Sequence, residues 1–490
     1  MHHNLTIIST TSDRALFKPW FKDRATWAAW FVFLKAIFAL RMTPEELALY
    51  QRSTGRTQPP TEPAREGWLV VGRRGGKSFI VALVAVFLAC FRDYSQYLAP
   101  GERGTVMIVA TDRKQARVIF RYIRALLEQV PMLARLIERM DAETIDLSNR
   151  VTIEIHAASF RAVRGYTIVA FIGDEIAFWR SDDSANPDRE ILDAARPAMA
   201  TIPGALLLGI SSPYARRGSL YEAHRDHYGK DGDPVLVWQA DTRTMNPTVP
   251  QKIIDEANER DPASAAAEYG ATFRTDLEAF INREVVEAAI ESGCFERARQ
   301  PNITYHGGVD VATGSGADSY VVAVTHREGE TVLLDGIREW RPPFSPEAVT
   351  AEAVAFLKSY GICEVLGDNY AALLAQEQFT KRGMGYRVSE RNRSELYLEL
   401  LPLLNSRRVK LLDHLRLVNQ LTLLERRTSR GGRDTINHPP NGHDDVANAV
   451  AAAVFAVARP NFTGLLDYYA AEVAKLKAEP FNSTQQEKHV

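Results

Sequence analysis

The sequence predicts an α/β protein built as two successive domains, and three observations carry that reading. Continuous apolar runs ending in polar residues alternate with segments of helical spacing over about 200 residues, the pattern of a mostly parallel sheet covered on both faces. The chain has 490 residues, enough for two or three separate cores. From residue 303 the pattern restarts, after an Ala- and charge-rich stretch, with a new series of strands. A composition of 46% apolar and 24% charged residues excludes a disordered chain, a collagen-like chain and a disulfide scaffold. The net charge of −2 excludes a basic coat but leaves room for a local basic groove.

The first 60 residues are rich in aromatics (Phe17, Trp20, Phe21, Trp27, Trp30, Phe31) and form a helical segment that closes on QRSTGRTQPPTEPAREG. The apolar runs at 27–40 and 79–91 fall short of the ~20 residues that span a bilayer and predict buried helices. The N-terminus lacks the pattern of a signal peptide, so a soluble, intracellular protein without a membrane is expected. Cys90, Cys294 and Cys363 form no CxxC pair and predict buried thiols in a reducing compartment.

A first domain core is expected over 61–274, with strands WLVV (68–71), TVMIVA (105–110), VTIEIHA (151–157), IVAFIGDE (168–175) and ALLLGISS (205–212). DRKQARVIFRYIRALLEQV has helical spacing, and 250–300 predicts closing helices and a linker at 275–300. The second domain, 301–460, opens with ITYHGGVDVA and a hairpin about EGE in YVVAVTHREGETVLLDGIREW. Helix, the strand CEVLGD, helix and an Ala-rich helix at 443–458 follow. Residues 461–490 are a polar tail, expected to be disordered from 475.

GRRGGKS lies between a strand and an apolar helix, where a phosphate cradle has to be. Gly72, Arg73, Arg74, Gly75 and Gly76 would line the loop, Lys77 would reach the β/γ-phosphates, and Ser78 would hold Mg²⁺. The spacing departs from the usual pattern, since Val71 stands where the first glycine falls. Asp174 and Glu175 end a buried strand, where Asp174 would bind the Mg²⁺ through water and Glu175 would polarise the attacking water. The hydroxyls of ISSP (210–213) end another such strand and could sense the γ-phosphate. These features together predict a P-loop ATPase using ATP.

A different chemistry follows. Asp310 and Asp368 end strands, while Asp444 and Asp445 open the Ala-rich helix. Converging carboxylates repel one another unless divalent ions lie between them, and two such ions can activate water at a phosphodiester. Oxygen-only ligands favour Mg²⁺ or Mn²⁺. Asp310, Asp368, Asp444 and Asp445 as a spaced metal-binding set predict a ribonuclease-H-like nuclease, with Asn448 a further candidate to face the metals.

In motif order and spacing the chain resembles the large terminase subunit of tailed bacteriophages over roughly 15–460: GRRGGKS resembles its deviant phosphate loop, FIGDE its Walker B, GISSP its coupling motif and Asp…Asp…HDD its nuclease pattern. SFRAVRG resembles the segment that carries a trans-acting arginine finger, which implies that role for Arg164. Gln115 lies in a family-like segment with its role open, Asp318 corresponds loosely to an accessory acid, and His443 is either a helix-start or a catalytic residue. The resemblance implies an ATP-driven motor that moves double-stranded DNA into a procapsid and cuts concatemeric DNA. Its implied partners are a small terminase subunit, the portal ring and further copies in a homo-oligomeric ring. Its implied place is the host cytoplasm, transiently on the viral procapsid.

Arg426, Arg427, Arg430 and Arg433, preceded by Arg407, Arg408 and Lys410, form a basic cluster that suits DNA phosphates or, more plainly, a solvated hairpin. Two rival readings are a helicase-like repair ATPase-nuclease and a degenerate prophage protein that binds DNA or a capsid without activity. The first calls for a second ATPase-like lobe where the carboxylate-bearing restart stands. The second is opposed by a competent residue at each named position.

Overall fold

The run WLVV is the end of β1 (Glu66–Val71), and a glycine turn leads from it into the helix Lys77–Phe91, buried on nearly every side. In this computed structural model, residues 5–159, 163–179, 186–369, 372–428, 434–440 and 442–458 are described. The remaining strands of the first sheet are β2 (Gly104–Ala110), β3 (Ile137–Met140), β4 (Thr144–Leu147), β5 (Val151–Ala157), β6 (Thr167–Asp174), β7 (Leu206–Ser211) and β8 (Val235–Ala240). Their order is β3-β4-β5-β2-β6-β7-β1-β8. The five expected strands all lie in its parallel part.

The hairpin β3–β4 is an addition that sequence reading missed. It pairs antiparallel with β5, and its short, polar strands IERM and TIDL lack the continuous apolar signal of the central strands. The helix Arg113–Gln129 is capped by Asp112 and turns Ala116, Ile119, Phe120, Ile123, Leu126 and Leu127 inward, the i, i+3, i+4 spacing of an amphipathic helix. The N-terminal helix Ala28–Ile37 enters the same core, where Phe33 meets Trp238 edge to face at 5.7 Å between ring centroids.

Between 250 and 300 the chain is only partly helical. Helices Gln251–Arg260 and Pro262–Glu268 are split at Asp261, which caps the second while Pro262 opens it. Beyond them come β9 (Leu277–Ala279), a short helix Arg283–Glu287 and β10 (Ile290–Glu291). Strand pairing overrides local helix propensity there.

The chain divides into two compact units, Met1–Phe280 with Leu423–Gly442 and Ile281–Thr422 with His443–Val490. In the second, β11 (Tyr305–Asp310), β12 (Tyr320–Glu328) and β13 (Thr331–Trp340) form an antiparallel meander, with the expected hairpin turning at Gly329. The strands β14 (Glu364–Gly367) and β15 (Gly385–Val388) add in parallel beside β11, while β16 (Val409–Leu412) and β10 complete the other edge. Counted within β11–β15, the order is third-second-first-fourth-fifth, the ribonuclease-H-like arrangement.

The helix Asp445–Ala458 lies on β11 and β12. A side chain at Gly308 would run into the Ala449 carbonyl and the Ala453 backbone, so a glycine below and alanines above permit this close approach. The strands β17 (Glu425–Thr428) and β18 (Asp434–Asn437) form a hairpin, and β17 pairs with β9 in the first unit. Among the described residues no helix is long and apolar enough to cross a membrane.

Candidate active sites

Registry sets up the first site. Val70 of β1 pairs with Ser211 of β7, and Ile210 of β7 pairs with Asp174 of β6, so the carboxyl ends of three adjacent strands are level. Ligands of open parallel sheets bind at that edge. Arg73, Ser78, Gln115, Asp174, Glu175 and Ser212 line one cavity there, of about 480 Å³. Lys77 is buried, and its Nζ donates to the Val71 carbonyl at 2.8 Å and lies 4.0 Å from Glu175. Val71, in the place of the missing glycine, thus closes the loop through its backbone.

The loop is held from several sides. Trp30 Nε1 donates to the Gly75 carbonyl at 2.7 Å, Thr242 Oγ1 to Arg73 at 2.8 Å and Asn246 Nδ2 to Arg74 at 2.8 Å. Gly76 sits at φ +94, which favours glycine, and a side chain there would press on Trp27 and Trp30. The aromatic N-terminus therefore fastens the phosphate loop. Gly72 is equally confined, against Thr242.

Burial, and then the adjacent Glu175 carboxylate, push Asp174 up to about 7, against the pull of Lys77. Glu175 is left-handed at φ +50, and its Oε2 accepts a 3.0 Å hydrogen bond from Ser211 Oγ. Arg164 is exposed and is not among the residues lining this cavity. Sequence reading missed Phe178, Tyr214, Glu268 and Arg274, which line the cavity. Only chain return brings them there.

In the second unit β11 and β14 run parallel with Val309 opposite Gly367, so Asp310 and Asp368 leave the sheet side by side. The helix Asp445–Ala458 adds its acids from above. Asn448 Nδ2 donates to Asp310 Oδ2 at 2.9 Å, and the Ser319 N–H donates to Asp445 Oδ2 at 2.8 Å. The buried Asp444 accepts from Arg393 Nη1 at 3.0 Å and from the Tyr397 hydroxyl at 2.8 Å. Gln420 Oε1 receives the N–H groups of Val446 and Ala447 at 2.8 and 3.0 Å, satisfying donors that a helix start leaves open.

Burial first, then the charges of Asp445, Asp368 and Asp444, raise Asp310 well above the carboxylate range. Burial also lifts Asp445 to about 6, against the Ser319 N–H and His443. Such mutual repulsion is what divalent ions relieve, and the oxygen donors fit Mg²⁺ or Mn²⁺. Carboxylate and ring atoms of Asp318, His443 and Asp445 also lie within 4.8 Å of one another.

Arg393 and Tyr397 escaped sequence reading. The signal was present, since Asn392 and Glu395 form a capping box that starts the helix Arg393–Asn405 and puts both residues on one face. In the basic cluster Arg426 pairs with Asp434, and Arg427 with Asp261 at 2.7 Å and Asp276 at 3.3 Å. Arg426 is thus paired within the hairpin, and Arg427 ties the hairpin to Asp261 and Asp276 of the first unit. Arg430, Arg433 and the tail 461–490 lie outside the described residues. The thiols correct expectation in part, because Cys363 is exposed and Cys294 only partly covered, whereas the Cys90 thiol is buried although its residue as a whole is partly covered.

Fold and sites define a P-loop-type ATPase unit combined with a ribonuclease-H-like unit that carries a carboxylate centre. Residues 68–187, from β1 past the Asp174–Glu175 pair, match the family model described as the N-terminal part of the terminase large subunit, T4likevirus-type. That match is confined to this segment, about a quarter of the chain. Similar solved structures include the large terminase of bacteriophage HK97, 15% identical, covering 85% of this chain and 95% of that one at a TM-score of 0.36. The large terminase nuclease of thermophilic phage G20c is 16% identical over 35% of this chain and 96% of that one, TM-score 0.32. A large terminase of another thermophilic bacteriophage, in complex with ADP, is 10% identical over 79% and 93%, TM-score 0.36. No curated protein matches the chain.

Proposed function

We propose that the protein is the motor subunit that packages double-stranded viral or prophage DNA into a procapsid, hydrolysing ATP in its first unit and cutting concatemeric DNA with its second. The observation that carries this reading is the presence in one terminase-type chain of two separate centres, the levelled strand ends around Lys77 and the carboxylates of Asp310, Asp368, Asp444 and Asp445.

At the first centre the loop Gly72–Ser78 holds the phosphates of ATP, with Lys77 drawing off charge; Ser78, and Asp174 through water, would hold Mg²⁺, a role supported by their lining one cavity. Glu175 orients the attacking water and takes up its proton. The Ser211 hydroxyl keeps that carboxylate in place, so β7 senses the state of the site. The exposed Arg164 acts in trans, entering the site of a neighbour in a homo-oligomeric ring and neutralising charge that develops on the γ-phosphate.

At the second centre divalent ions supply activated water and charge neutralisation at the phosphodiester. Asp310 and Asp368 present their carboxylates from the sheet, and Asn448 fixes the orientation of Asp310. The partners are double-stranded DNA, the portal ring of the procapsid and a small terminase subunit. The place of action is the host cytoplasm.

The test is plasmid cleavage by the purified chain in Mn²⁺ or Mg²⁺. Cutting should disappear in Asp368→Ala and persist in Lys77→Ala. Absence of metal-dependent cutting in both the isolated chain and the assembled motor would overturn the nuclease half.

A further inference from the structure

The carboxylate centre contains its own cation. Arg393 and Tyr397 stand one turn apart on the helix Arg393–Asn405, whose start is fixed by the Asn392–Glu395 capping box. Together they take both oxygens of Asp444, Arg393 Nη1 on Oδ1 at 3.0 Å and the Tyr397 hydroxyl on Oδ2 at 2.8 Å. Asp444 is only 2% exposed. The neighbouring acids are treated differently. Asp310 and Asp445 are each bonded through one oxygen to a neutral donor, the Asn448 amide and the Ser319 N–H. Arg393 is coupled electrostatically to Asp444 first and, more weakly, to Asp310 and Asp368.

We propose that Arg393 is a built-in counter-cation of the nuclease centre, anchored by Asp444, and that divalent ions bind through Asp310, Asp368 and Asp445 against its charge. The inference rests on the nuclease reading and assigns roles within it. A guanidinium stays ionised at every working pH, so it offsets carboxylate repulsion while no ion is bound. Its positive charge also opposes an arriving dication, which lowers affinity and leaves metal loading dependent on what else the site binds. Arg393 is here a positioning and charge-setting residue, and Asp444 an anchor, which separates the two adjacent aspartates by role.

The test is calorimetric titration of the nucleotide-free full chain with Mn²⁺, beside thermal melts with and without it. In Arg393→Gln, Mn²⁺ should bind about tenfold more tightly, as expected when one nearby charge is removed from a partly screened site. The metal-free melting temperature should fall and the shift produced by Mn²⁺ should grow. Arg393→Lys, which retains the charge, should bind like the wild type. Arg393→Gln/Asp444→Asn, which loses one charge of each sign, should bind within about threefold of wild type, whereas Asp445→Asn should lose on the order of 100-fold.

Unchanged or weaker Mn²⁺ binding in Arg393→Gln would overturn the counter-cation role. Loss of binding in the double variant, to the level of Asp445→Asn, would make Asp444 a ligand and overturn its role as anchor. If even the wild type shows no Mn²⁺ binding that depends on Asp368 and Asp445, the nuclease reading falls and this inference with it. Binding that depends on both but ignores Arg393 sinks only the inference.

Discussion

The Tyr214 hydroxyl donates to the Glu425 carboxylate over 2.6 Å although 211 positions separate them in the chain. Arg217 ion-pairs with the same carboxylate, and Glu425 is 5% exposed. The stretch Leu423–Gly442, flanked on both sides by chain of the second unit, is therefore built into the ATPase unit. Pro440, near its end, lines the cavity at the strand ends of the first sheet.

Glu425→Gln is expected to destabilise the ATPase unit by about 2 kcal/mol, because it strands the Arg217 charge in a partly buried position. Tyr214→Phe should cost about 1 kcal/mol, the net worth of one such hydrogen bond. Urea unfolding followed by tryptophan fluorescence reads this directly, since Trp340 alone among the seven tryptophans lies in the second unit.

Ser211→Ala should lower ATP turnover about tenfold, the cost of a lost hydrogen bond to a carboxylate, with little change in nucleotide affinity. Only the orientation of Glu175 is lost. Steady-state hydrolysis by the assembled motor, beside binding of a fluorescent nucleotide, separates the two. A loss of affinity equal to the loss of turnover would assign Ser211 to binding.

Gly308→Ala should be damaging out of proportion to its single methyl group. The new Cβ would strike the Ala449 carbonyl and the Ala453 backbone, forcing the helix Asp445–Ala458 off the sheet. Overpacking of this kind costs about 1–3 kcal/mol or more. Plasmid cleavage should disappear with it, because Asp444 and Asp445 ride on that helix start, while ATP binding persists.

Burial, and secondarily Arg387, lowers the pKa of His306, and burial lowers that of His414. A depressed histidine pKa means that the unfolded chain binds protons first as pH falls. Both residues therefore remove stability from the second unit below about pH 6.5, the ordinary histidine value, and add none to its pH slope well above it. The difference in melting temperature between His306→Gln/His414→Gln and the wild type should shift in favour of the variant between pH 7 and pH 5. A difference independent of pH would exclude this origin.

Thiol labelling should separate the cysteines. The exposed Cys363 should react with a maleimide at neutral pH in the folded chain. Burial pushes the Cys90 thiol up to about 12, so it forms little thiolate and should react only on unfolding. Mass spectrometry of peptides from the labelled chain checks the order.

The loop Gly72–Ser78, the pair Asp174–Glu175 and the spaced aspartates were legible because each announces itself locally, by glycines or acids at the end of an apolar run. The β3–β4 hairpin was not, because its strands are short, polar and at an edge. Arg393 and Tyr397 lay in a helix whose capping box was readable, yet nothing local said that the helix faces Asp444.

By itself the sequence determined the central strands and helices of both units and the order of the two candidate sites along the chain, since periodicity, turn glycines and strand-end acids act over a few residues. Only the tertiary structure decided that Leu423–Gly442 belongs with the ATPase unit, that Trp30 secures the phosphate loop, and that Arg393 sits at the acids. Those outcomes depend on strand order, on the Gly308–Ala449 approach and on ion pairs between distant segments. They are set by the free energy of packing the whole chain, which no local window of residues contains.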